Sequence, residues 1–120
     1  MTEEAAAMRD ERVGRSLSEA VVTEIMRRIL TVLRPTRVVL FGSAATGTMT
    51  RDSDIDLLVV ADSVSDARAD AVRVRRALRG LPFAFDVIVM SRERFEETRG
   101  VIGGIAWPAA RHGRVIYEAA

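Results

Sequence analysis

The sequence predicts an α/β (α+β) fold, a small mixed β-sheet flanked by helices. Three observations carry this. An early segment repeats its apolar residues at helical spacing, three short runs rich in β-branched residues follow, and a second helical pattern separates two of those runs. The chain has 120 residues with no internal repeat and no low-complexity linker, so a single domain is expected. Residues 16–120 are assigned to that domain and residues 1–15 to a tail or an extension of the first helix.

Leu17, Val21, Val22, Ile25, Met26, Ile29, Leu30 and Leu33 fall on one broad helical face. Ser16 with Glu19 has the form of a capping box. Pro35 ends the helix, because the residue before a proline is driven out of helical geometry, so residues 16–34 are predicted helical. Residues 37–41 (Arg-Val-Val-Leu-Phe) read as a buried strand stopping at Gly42, residues 43–53 as a turn, and residues 54–60 as a second strand. Residues 65–79 form a helix capped by Ser65 or Asp66, with Gly80 just past its end. Ala67, Ala71, Val74 and Leu78 of that helix face the sheet, and Arg68, Arg73, Arg75, Arg76 and Arg79 face solvent. Residues 83–90 make a third strand, and Ser91 caps a short helix to about residue 98. Residues 101–111 read as a helix interrupted by Gly103, Gly104 and Pro108, and residues 114–117 as a small edge strand.

Composition removes several kinds of chemistry. Apolar residues are 48% of the chain and charged residues 29%, a globular balance. The 18 basic and 17 acidic groups leave a net charge of +1, too weak a field to call for nucleic acid or a membrane surface. Every basic residue is arginine, which excludes a phosphate-binding lysine and a Schiff-base lysine together. Cysteine is absent and His112 is the single histidine, which excludes thiolate chemistry and zinc sites built on two histidines. Acidic residues near the N-terminus precede the apolar stretch, the wrong order for a secretory signal, and a cytoplasmic protein without membrane contact is expected.

What remains is chemistry run by carboxylates, hydroxyls, arginines and backbone amides. Asp54 and Asp56 are two residues apart at the start of a strand and share a face. Asp86 stands in the third strand with apolar residues on both sides, an expensive place for a carboxylate unless it is paired or coordinated. Clustered carboxylates without thiolates describe a hard, oxygen-ligand cation site, and magnesium is the natural occupant. Gly42 and Ser43, directly after a buried strand, allow close backbone approach and supply donors for an anion without any lysine.

The run Phe41-Gly42-Ser43, followed after ten residues by Asp54-Ile55-Asp56-Leu57-Leu58-Val59, resembles the signature of the DNA polymerase beta-like nucleotidyltransferase superfamily. Within it, the short chain resembles the minimal nucleotidyltransferases. The resemblance implies a nucleotidyltransferase fold in which Asp54, Asp56 and Asp86 hold two magnesium ions. It implies that Gly42 and Ser43 hold the triphosphate; Arg51 and Ser53 are further candidate nucleotide contacts, and Asp86, nearest the expected place of the acceptor hydroxyl, is the candidate general base. It further implies that AMP moves from ATP onto a hydroxyl, a tyrosine of a helical HEPN toxin, and that the chain acts as the antitoxin. An oligomer with that partner or with a second copy is expected, since the chain ends too soon after Asp86 for a second domain to present the acceptor.

Two alternatives stay open, a non-catalytic antitoxin that neutralises by binding, and transfer to a small molecule such as an aminoglycoside. Ala44 and Thr46 occupy positions where many minimal members carry arginine, so a weaker hold on phosphate is expected, with Arg51 as a partial substitute. His112 reads as a charge at a helix end, Phe41, Phe83 and Phe85 as core, Tyr117 as an edge-strand aromatic, and Trp107 as core or a partner contact.

Overall fold

The computed structural model describes residues 17–42, 45, 54–101, 104 and 112–119. The expectations for residues 1–15, Ser16, Ser43, Ala44, Thr46, Arg51, Ser53, Gly103, Trp107 and Pro108 lie outside the described residues.

Helix α1 spans Glu19–Ile29. It is shorter at both ends than the apolar spacing predicts. Its N-cap is Ser18, whose Oγ accepts from the Val21 amide at 3.4 Å, and Leu17 before the cap is buried. At the other end the Thr31 hydroxyl donates to the Arg28 carbonyl at 2.6 Å, and the Thr31 and Val32 amides reach back three residues. The last turn is thereby tightened before the buried Pro35 is reached.

Strand β1 is Arg37–Phe41, as predicted. Strand β2 is Ile55–Ala61 and β3 is Phe85–Ser91, each beginning one or two residues later than expected. Asp54 therefore stands just ahead of β2, and Phe83 ahead of β3. Between these strands, helix α2 spans Ala67–Ala77 with Asp66 as its cap. Ala67, expected against the sheet, is exposed at the first turn, while Ala71, Val74 and Leu78 are buried as the helical period requires. Gly80 carries a φ of +99° two residues beyond the C-cap Leu78, where the chain reverses toward β3. Helix α3 is Arg92–Thr98, capped by Ser91, whose Oγ accepts from the Arg94 amide at 3.1 Å. Strand β4 is Arg114–Glu118.

The sheet order is β3-β2-β1-β4. β1 pairs antiparallel with both neighbours, and β2 runs parallel to β3. The sheet is mixed, as predicted, with β3 and β4 on its edges. Val38 and Leu40, Ile55, Leu57 and Val59, and Val87 and Val89 point to one face, where α1 and α2 cover them with Val21, Ile25, Ile29, Val74 and Leu78. The alternate residues Val39, Leu58, Val60 and Met90 point to the other face, where Phe95 of α3 closes a smaller cluster. Phe83, Phe85 and Tyr117 pack partly buried against the first cluster, and Phe41 against the second. No helix among the described residues is long and apolar enough to cross a membrane.

Arg28 ties the two covering helices together. Its guanidinium donates to the Arg79 carbonyl at 2.8 Å and the Ala77 carbonyl at 3.4 Å, meeting orphan acceptors at the end of α2. Glu24 orients it, accepting from Arg28 Nε at 2.9 Å and from Arg27 at 2.6 and 2.9 Å. Hydrogen bonds from Arg27 and then Arg28 hold the Glu24 carboxyl down at about 2. A lowered folded-state pKa contributes stability above the ordinary value of 4.5, lost as pH falls through about 2. Thermal melts of the wild type and Glu24→Gln should therefore differ at pH 7, with the wild type higher, and converge as pH approaches 2.

Candidate functional site

The ends of three strands meet at one place on the sheet. β1 arrives there with Phe41 and Gly42, while β2 and β3 both begin there. Phe41 is paired with Asp56 across the antiparallel ladder, and Asp56 with Asp86 across the parallel one. Asp56 alternates with the buried Ile55 and Leu57, so it lies on the face of Leu58 and Val60, away from α1 and α2. Asp86 shares that face with Ile88 and Met90. Adjacent strands lie about 4.8 Å apart, so carboxylates at paired positions on one face are close neighbours.

Exposure divides the three aspartates. Asp54 and Asp86 are exposed and Asp56 is half-buried. This corrects one expectation. Asp86 carries little burial cost, because β3 is an edge strand and its start is open to water. The expense falls on Asp56, one strand further in. Burial first, and then the negative charges of Asp86 and Asp54, push its carboxyl above its ordinary value. Asp56 thus carries the burden of two like charges beside it.

Gly42 is fitted to that cluster. Its φ is +66°, a left-handed geometry that glycine adopts without strain. A Cβ at this position would collide with Asp56 Oδ2 and stand 3.4 Å from Asp56 Cγ. The Asp56 carboxylate therefore rests against the backbone of the turn after β1. Sequence reading paired Gly42 with Ser43 as a phosphate turn and missed this contact. It depends on the register of β1 against β2, which the intervening residues 43–53 do not reveal. Of the remaining predicted site residues, Ser43, Arg51 and Ser53 lie outside the described residues.

The donor set is entirely carboxylate oxygen, which suits a hard divalent cation, and a cation is what would relieve the repulsion centred on Asp56. Among the described residues no group of three or more Asp, Glu, His or Cys side chains forms a ready-made coordination shell. An apolar cleft of about 640 Å³ lies elsewhere, between α3, the end of β3 and Val101, and contains none of these aspartates.

Comparison with known proteins agrees with the architecture. The family model for the nucleotidyltransferase domain matches residues 22–105, which include Gly42 and all three aspartates. A Sulfolobus solfataricus structure described as a candidate nucleotidyltransferase aligns with a TM-score of 0.56 at 18% identity, over 98% of this chain and 90% of that one. A mutant of the toxin–antitoxin complex MntA-HpeT aligns with a TM-score of 0.54 at 20% identity, over 86% of this chain and 75% of that one. A toxin–antitoxin structure with AMP-PNP gives 0.54 at 20% identity, over 82% and 73%. A sequence search of curated proteins returns no match.

Two substitutions probe the cluster. Asp56→Asn removes a half-buried charge beside two others, so without added metal it should raise the melting temperature by about 2–4 °C, the response to roughly half a kcal/mol. Gly42→Ala combines an unfavourable backbone geometry with a collision against Asp56 and should cost about 1–3 kcal/mol by urea denaturation.

Proposed function

Because the chain belongs to the nucleotidyltransferase domain family, we propose that it transfers AMP from ATP to a hydroxyl of a protein partner, a HEPN-type toxin that the modification silences. The observation that carries the reading is the like-charge cluster of Asp56 with Asp86 and Asp54, packed against Gly42. Three carboxylates held at one sheet end against their own repulsion are costly to the fold, and a cation-dependent reaction gives that arrangement a use. Resemblance to toxin–antitoxin structures supports the choice of partner.

Asp54, Asp56 and Asp86 would hold divalent magnesium, which when bound offsets the charge of the triphosphate and of the leaving pyrophosphate. Asp56, which would be one of the ligands, is held between Gly42 on one side and the β2–β3 ladder on the other. Asp86, exposed at the sheet edge, faces the side from which a macromolecular acceptor can approach. It takes the proton as the acceptor oxygen forms its bond to the α-phosphorus and the bond to pyrophosphate breaks. Gly42 makes room for the Asp56 carboxylate, and the turn it opens would hold the nucleotide tail, with Ser43, Ser53 and Arg51 as further contacts.

Neutralisation by occlusion is the second reading, favoured by the lack of a ready-made coordination shell among the described residues. One experiment separates the two. Protein, toxin, magnesium and ATP labelled on the adenosine moiety are incubated together. Label on the toxin should fall by at least about a hundredfold in the Asp54→Asn/Asp56→Asn double variant, in keeping with loss of groups acting on the transition state. No label with the wild type, together with toxin inhibition that survives in the double variant, would establish occlusion instead.

A further inference from the structure

Among the described residues no strand pairs with the outer side of β3, and α2 walls that side with arginine. Two clefts of about 430 and 280 Å³ run along it between α2 and β3, with Arg75 bordering both. Val87 and Val89 floor the first, and Phe83 and Phe85 the second, their rings edge to face at 6.1 Å. Arg68 borders the cleft beside Val89, and Arg79 the one beside Phe85.

The three arginines form a stripe. Arg68 and Arg75 are seven residues apart in α2, which places them on one helical flank, and Arg79, just past the end of α2, borders the same groove beside Arg75. All three are exposed, and among the described residues none has an ion-pair partner. The acidic Asp70 lies on the opposite flank, 3.5 Å from Arg73, whose guanidinium donates to the Val32 carbonyl at 2.8 Å. Among the described residues the groove thus combines a strand edge with no neighbouring strand, an apolar floor and arginines without an ion-pair partner, in a chain whose net charge is only +1.

We propose that this groove binds an acidic, extended segment of the protein acceptor, which adds to β3 as a further strand. The proposal rests on the transfer reading given above and names how the acceptor is held. Carboxylates on alternate residues of a strand are about 6.8 Å apart and project to one face, so successive ones can meet Arg75 and Arg79, which border the same cleft. Bidentate pairing with guanidinium suits such side chains. The residues between them project to the other face of the sheet, the face of Asp86. A hydroxyl residue flanked by acidic residues, placed opposite the start of β3, would therefore emerge beside Asp86, one strand spacing of about 4.8 Å away. A strand edge recognises a polypeptide backbone, and that favours a peptide over a nucleic acid.

The test is fluorescence anisotropy with a labelled nine-residue peptide carrying glutamate at alternate positions and threonine between. Arg75→Glu should weaken binding about tenfold, whereas Arg76→Glu, the same charge change on the next residue and outside the stripe, should alter it less than about twofold. N-methylation of the alternate peptide amides that face β3 should also cost about tenfold. Equal losses for the two arginine variants, indifference to N-methylation, or no binding would overturn the proposal. So would equal binding of a peptide with its glutamates in one block, or of a single-stranded oligonucleotide of matched charge. Binding should persist in Asp56→Asn, so failure of docking and failure of transfer are read separately.

Discussion

The parallel pairing of β2 with β3 is the constraint on which the site depends. It sets Asp56 opposite Asp86 on one face, and it leaves Asp54 one step outside the ladder. A slip of one residue would turn Asp86 toward the α1–α2 face and break up the cluster. The register is held by Leu57, Val59, Val87 and Val89, all buried beneath the two helices. Apolar contacts on one face thereby hold carboxylates in place on the other, against an electrostatic preference to separate.

That division of labour explains the asymmetry of the sheet. One face is covered along its length by α1 and α2, locked by Arg28 across the helix ends. The other carries, among the described residues, a smaller cluster closed by Phe95, with Phe41 and Ile88 packed against it. Arg37 and Arg99 approach the Phe95 ring at 5.6 and 5.5 Å, setting two cations against the side chain that closes this cluster.

Arginine serves as structural and surface cation throughout, in a chain without lysine. Arg28 and Arg73 donate to backbone carbonyls, Arg37 pairs with Glu118 at 2.7 Å, and Arg114 bonds to both the Leu17 carbonyl and Glu19. Planar forked donors suit these tasks better than an ammonium. Arg68, Arg75 and Arg79, which have no ion-pair partner among the described residues, border the clefts between α2 and β3.

The order and type of the described elements were readable from the sequence, because helical and strand periodicities are local properties of the chain. β1 was readable to the residue, since Pro35 and Gly42 bracket it. So were the residue types of the cluster, because carboxylates among β-branched residues stand out. Helix ends were less legible: Thr31 tightens the last turn of α1 through its own hydroxyl, before the proline acts. Tertiary structure alone decided which aspartate bears the cost. Strand order put β3 at the edge and β2 inside it, so Asp86 reaches water while Asp56 meets burial, two like charges and the backbone of Gly42. Strand order follows from how distant apolar faces cover one another, and no local spacing carries that information.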